Sequence, residues 1–208
     1  MPAAWAVILI AAAALGGAGI WLRLRWLLAR PWRPDQAREA GSPAAGVRYA
    51  FTRGMAPWAK ESTRIHLLAY LRGVVFHLGI AAGFLALALV PWRDAAPGAV
   101  RWLLIAGTLV GALAGWGGFA VRFIERNLRA VSTPDDLVSV ALVSAFLTAA
   151  ASAWWDPRWS AAFYALAAAT LLAIPLTKIR HCIYYGFSRY YFGLFYGRRG
   201  VIGGAQHE

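Results

Sequence analysis

Apolar residues fall along this chain in long uncharged runs, not in the alternating or three-to-four-residue spacing of a half-buried soluble fold. The runs occupy about residues 3–22, 74–90, 100–121, 137–155 and 161–177, and arginine or proline breaks them. Each approaches the ~20 residues with which a helix crosses a bilayer core. The pattern predicts an all-α membrane protein, a bundle of five transmembrane helices with spans about 3–22, 66–90, 100–121, 137–155 and 161–182. The first run lacks a basic lead-in and is too long for a signal-peptide core, so it reads as a retained helix. Residues 31–63, with Pro31, Pro34, Pro43 and Pro57, read as a surface loop holding one short amphipathic helix near 47–51. Thr133-Pro134-Asp135-Asp136 is a helix-start signal, with the two carboxylates capping the fourth helix. Pro175 should free a backbone carbonyl and kink the fifth.

Composition sharpens the picture. The 208 residues are 60% hydrophobic and 14% charged, against about 25% charged in a soluble chain. A net charge of +12 would suggest nucleic acid in a soluble protein. Here the cations flank apolar spans, so the lipid bilayer explains them and no nucleic-acid partner is expected. Of the 21 Lys and Arg residues, 18 fall in segments 23–72, 122–129 and 178–199. That bias puts those segments in the cytoplasm, the N-terminus outside and the C-terminus inside. One cysteine, Cys182, excludes a disulfide framework or a Cys-rich iron–sulfur or zinc site; it reads as a packed small residue. No internal repeat favours a transporter.

Ligating side chains inside a membrane are functional suspects. His207 lies in the terminal stretch and reads as solvated. His77 sits about one turn inside the second span, with Gly73 and Ala81 stacked on its face, which leaves room for a flat macrocycle. His181 follows the fifth span in Lys178-Ile179-Arg180-His181. Imidazoles from two helices at similar depth can hold one haem iron, with Arg64, Arg72, Lys178 and Arg180 near enough in sequence to neutralise propionates. The plain alternative is a histidine hydrogen-bonded to a neighbouring helix. His66 and His77 are eleven residues apart, so one helix face would carry both roughly 16 Å apart. His66 is then a ligand of a second haem, an alternative partner for His181, or a surface residue.

Five helices with histidines on the second and fifth resemble the gamma subunit of respiratory nitrate reductase and its membrane cytochrome b relatives. The stretch from Arg72 through Gly73 and His77 to Ile80 is similar to that family's surroundings of the cytoplasm-proximal haem ligand, and His181 takes the partner's place. The family's second histidine, about three turns further along the second helix, is missing from Phe84-Leu85-Ala86-Leu87-Ala88. The resemblance therefore implies one haem b, bound by His77 and His181, in a five-helix domain over 1–183, with a cytoplasmic aromatic and basic tail over 184–208. It implies an electron-transfer subunit of a quinone-linked oxidoreductase in the bacterial inner membrane. Quinone would be the substrate, and iron–sulfur or flavin redox subunits the cytoplasmic partners. A single haem near one face offers no obvious route across the bilayer.

The tail, dense in Tyr and Phe from Tyr184 to Tyr196, reads either as a docking surface or quinone-pocket wall, or as an interfacial aromatic belt. Arg48, Arg53, Trp58, Lys60 and Arg64 would form the other half of a docking face. A haem-free membrane anchor or assembly scaffold is the rival to the cytochrome, and a small transporter is a weaker one. No phosphate loop, nucleophile–base pair or paired buried carboxylates accompany these features.

Overall fold

The computed structural model describes residues 1–31, 35–59 and 61–203. Pro34, Lys60 and His207 lie outside the described residues. Among those described, all regular structure is helical. The α-helices are α1 (Ala3–Leu28), α2 (Pro43–Phe51), α3 (Glu61–Ile65), α4 (Leu67–Ala88), α5 (Gly98–Ile124), α6 (Arg126–Val131), α7 (Pro134–Trp155), α8 (Ser160–Ala173) and α9 (His181–Arg198). Four of them, α1, α4, α5 and α7, are long and apolar enough to cross a membrane. The number is five if Pro157–Ala173 and Lys178–Arg198 count as one broken span. By length and composition this is a multi-pass membrane protein.

The fifth expected span, 161–182, does not run unbroken. Its first part stops at Ala173, a short 3-10 turn covers Lys178–Arg180, and His181 starts a new helix. Pro175 has no N–H to return to Leu171, and its ring crowds that carbonyl. The broken turn satisfies its own polar groups, as a membrane requires. The Thr177 N–H and hydroxyl both donate to the Ala173 carbonyl at 2.9 Å, and the hydroxyl accepts from the Ile179 N–H at 3.2 Å.

The chain divides into two compact units. The larger comprises Met1–Leu22 and Leu71–Ile179, the smaller Arg23–Tyr70 and Arg180–Glu208.

In the larger unit α7 is the central rod. Of its apolar window 56% is buried, against 17% for α1 and for α4. An aromatic relay ties four helices together: Phe84 of α4 meets Phe146 of α7 at 5.3 Å between ring centroids, and Phe146 stacks on Phe163 of α8 at 5.7 Å. Beside Phe163 lies Tyr164, which meets Trp5 of α1 at 5.8 Å. Buried Trp154 donates its indole N–H to the Ala86 carbonyl at 3.2 Å, so its one polar atom is satisfied. Buried Thr108, Ser144 and Thr170 each donate to a carbonyl one turn back in their own helix.

Glycine sets the closest approaches. Lipid tails are as apolar as leucine, so van der Waals fit between backbones drives helix pairing here. A Cβ on Gly111 of α5 would lie 2.5 Å from the Gly79 Cα of α4. On α1, a Cβ at Gly16 would lie 2.5 Å from the Leu171 carbonyl oxygen, and one at Gly19 would lie 2.8 Å from the Pro175 ring. The carbonyl that Pro175 cannot bond thus faces a helix that carries no side chain there.

Side chains serve both ends of α7. Thr133 and Asp136 form a reciprocal capping box at the start of α7, as the sequence predicts. Arg101 of α5 donates to the Trp154 and Trp155 carbonyls at 2.9 and 2.8 Å, placing a cation at the negative end of α7. In the following turn the Arg158 guanidinium, bonded to Asp156 at 2.7 Å, holds that carboxyl below its usual range.

The smaller unit pairs α2 with α9, antiparallel. The expected amphipathic helix near 47–51 begins at Pro43, capped by the Ser42 hydroxyl. A Cβ on Gly193 would lie 2.5 Å from the Val47 Cα, and one on Gly197 would lie 2.7 Å from the Gly46 Cα. One turn before Gly193, buried Arg189 donates through Nε to the Ala50 carbonyl at 3.0 Å, with a second donation from Nη2. Gly200, at φ 70°, ends α9 in a Schellman motif: Val201 N–H reaches Tyr196 O and Gly200 N–H reaches Gly197 O, both at 3.0 Å. Arg199 pairs with Asp35 and lies 3.5 Å over the Phe195 ring.

Gly79→Leu drives a side chain into the α5 backbone and is expected to destabilise the protein by about 1–3 kcal/mol. Gly17→Leu, where nothing lies within 4 Å of the added Cβ, should leave stability unchanged. Thermal unfolding of the two variants in detergent makes the comparison.

Candidate functional site

The two sides of α4 differ. Its inward side carries Phe76, Gly79, Gly83 and Ala86, the last three buried. Phe76 reaches α5 at Gly115, and Gly83 faces Phe146 and Leu147 of α7. Arg72 belongs to this side, for its side chain runs along α5 at Gly117 and Gly118.

His77 lies on the exposed side of α4. Its Nδ1 is 2.7 Å from the Gly73 carbonyl oxygen. A carbonyl only accepts, so Nδ1 carries the proton and the lone pair resides on Nε2. Metal-ligating histidines commonly use this tautomer, with the other nitrogen held by a backbone carbonyl. Nothing lies within 4 Å of a Cβ added at Gly73, so the surface one turn before the imidazole is open. Phe76 stands edge-on to the ring, 6.1 Å away. These features fit an axial ligand with a flat group beside its helix.

The other sequence-nominated residues are distributed as follows. His181 is the first residue of α9 and exposed, with Arg180 in the short turn before it. His77 belongs to the larger unit and His181 to the smaller. His66 is an exposed turn residue between α3 and α4, so no continuous helix carries both His66 and His77. Lys178 is drawn to the start of α7: its ammonium pairs with Asp136 at 2.7 Å, and its backbone N–H bonds Asp135 at 3.1 Å. Arg72 lies five residues before His77, about 140° round the helix, and is turned towards α5. Cys182, expected as a packed small residue, is free and exposed on α9, because that helix buries Arg189, Gly193 and Gly197 instead. The described residues hold no group of three or more His, Cys, Asp or Glu placed for a metal ion.

Sequence reasoning missed Arg189. Its signal was the four-residue spacing of Arg189, Gly193 and Gly197, which stacks them on one face. It also missed the meeting of Arg72 with Arg122, which side-chain placement alone reveals.

No protein-family model, curated protein or solved structure matches the chain. The class that its fold defines is an all-helical, multi-pass membrane protein.

Asp136 joins the capping box to the Lys178 ion pair. Asp136→Ala removes both and is expected to cost about 1–2 kcal/mol. Lys178→Met keeps the box and loses the partly exposed pair with Asp136, expected to cost under about 1 kcal/mol. Thermal melts of both variants beside the parent give the order.

Proposed function

We propose that this protein is a b-type cytochrome subunit of a membrane oxidoreductase, passing electrons between quinone in the bilayer and a soluble iron–sulfur or flavin subunit. The observation that carries the reading is His77: an exposed imidazole on a membrane-length helix, its Nδ1 held by the Gly73 carbonyl so that the neutral ring carries its lone pair on Nε2. The open surface at Gly73 supports it further. His77 would hold the haem iron, and the sequence resemblance alone nominates His181 as its second ligand. Bound haem would supply one-electron chemistry. The chain's residues supply ligation, orientation through the Gly73 carbonyl, and an apolar surround that excludes water. The uneven distribution of Lys and Arg supports an N-terminus outside and a C-terminus in the cytoplasm of a bacterial inner membrane. On that orientation, the exposed Arg48, Arg53 and Trp58 and the exposed tyrosines of α9 belong to the cytoplasmic side, where a soluble redox partner would dock.

Absorption of the purified protein tests the proposal. Dithionite should produce a sharp b-type alpha band. His77→Ala should abolish it, His66→Ala should leave most of it, and Gly73→Leu should lower haem content by closing the open surface. No band from cells supplied with haem would leave a haem-free anchor as the reading. Band loss in His66→Ala but not in His77→Ala would overturn the ligand assignment.

A further inference from the structure

We propose that Arg72 and Arg122 form a binding site for the phosphate of an anionic phospholipid headgroup. The two come from different helices, α4 and α5, and converge on Gly118. Arg72 Nε lies 3.5 Å, and Arg122 Nη1 3.6 Å, from where a Cβ on Gly118 would sit. The two nitrogens are therefore no more than about 7 Å apart. Both side chains are half-buried. Like charges this close, partly withdrawn from water, repel unless an anion lies between or beside them.

Among the described residues, none provides that anion through an ion pair. The ion pairs among the described residues are Arg158–Asp156, Lys178–Asp136 and Arg199–Asp35, and neither Arg72 nor Arg122 takes part. Glu125, three residues after Arg122, is exposed and pairs with neither. Arg122 is fixed in place: its Nη1 donates to the Gly118 carbonyl at 2.6 Å, which leaves its remaining N–H groups directed elsewhere. Gly117 and Gly118 have no side chains to fill the surface along which Arg72 lies. Two guanidinium forks offer the parallel N–H pairs that phosphate oxygens accept.

The surroundings select a lipid over a soluble anion. Phe123 and Ile124, next to Arg122, are 49% and 77% exposed, and Val131 at the end of α6 is 73% exposed. Arg126 and Arg129 of α6 stand exposed among them. Cations beside exposed large apolar side chains at the end of a membrane-length helix match the headgroup–acyl boundary. The acyl chains would lie along Phe123 and Ile124, and the phosphate between the arginines. The inference does not depend on haem.

The test uses the full chain in neutral detergent, titrated separately with dioctanoyl phosphatidylglycerol, dioctanoyl phosphatidylcholine and inorganic phosphate. Thermal unfolding and native mass spectrometry read binding. Phosphatidylglycerol should raise the melting temperature and remain as a bound adduct; the other two should not. Arg72→Gln and Arg122→Gln should each weaken phosphatidylglycerol binding about fivefold, while Arg158→Gln should not. If a glutamine variant fails to fold, Arg72→Lys and Arg122→Lys serve instead: they keep the charge, lose the fork, and should still bind more weakly. An equal response to phosphatidylcholine, reproduction of the shift by inorganic phosphate, or unaltered phosphatidylglycerol binding in the variants would each overturn the proposal. Haem absorbance of the same samples separates the two readings: loss of haem with unaltered phosphatidylglycerol binding would assign the arginines to a propionate instead, whereas lipid binding in haem-free protein upholds the site even if the cytochrome reading fails.

Discussion

The long apolar helices of this protein must pair without the gain that water gives to apolar burial. In lipid, association depends on how closely two backbones approach and on whether each polar group has a partner. The α4–α5 crossing meets the first condition at Gly79 and Gly111, and the α1–α8 contact meets it at Gly16 and Leu171. Trp154 meets the second by giving its indole N–H to Ala86, and Thr108, Ser144 and Thr170 meet it within their own helices. The aromatic relay from Phe84 to Trp5 fills the space that remains among α4, α7, α8 and α1. The many large apolar side chains left exposed are then surface for lipid rather than a packing fault.

The smaller unit applies the same rule outside the four long apolar helices. Gly46, Gly193 and Gly197 bring α2 and α9 together, and Arg189 crosses that seam to the Ala50 carbonyl. A buried arginine would be costly alone. Here the Ala50 carbonyl accepts hydrogen bonds from two of its nitrogens, and the Phe192 ring lies 5.3 Å from its guanidinium carbon. The aromatic richness of the C-terminal stretch therefore has two sides. Arg189, Gly193 and Gly197 form the seam, and the exposed Tyr185, Tyr190, Tyr191 and Phe195 lie on other faces of the helix.

Much of this fold was legible in the sequence because bilayer thickness writes itself as uncharged runs. The helices at 3, 67, 98 and 134 start within a few residues of the expected positions. The fifth span is broken where the sequence expects a kink, at Pro175: hydropathy continues through the proline although the helix ends at Ala173. Cys182 was misjudged because composition does not reveal which side of α9 faces α2. For the candidate site, the exposed setting of His77 follows from the glycines on the other face of α4. The hydrogen bond to Gly73, the diversion of Lys178 to Asp136 and the turn of Arg72 towards α5 depend on rotamers, which leave no trace in residue spacing. One helix thus presents an imidazole outward and a guanidinium inward from positions five residues apart.

The partnership of α2 with α9 also imposes an order on biogenesis. Ala50 and Arg189 are 139 residues apart. At about 5–20 residues per second, a ribosome needs roughly 7–30 s to synthesise the chain between them. For that interval the nascent α2 has no α9 to cover Gly46 and Ala50, and three of the four membrane-length helices, α4, α5 and α7, emerge in the meantime. The first-made part of the smaller unit therefore waits for α9 before its glycine seam can close.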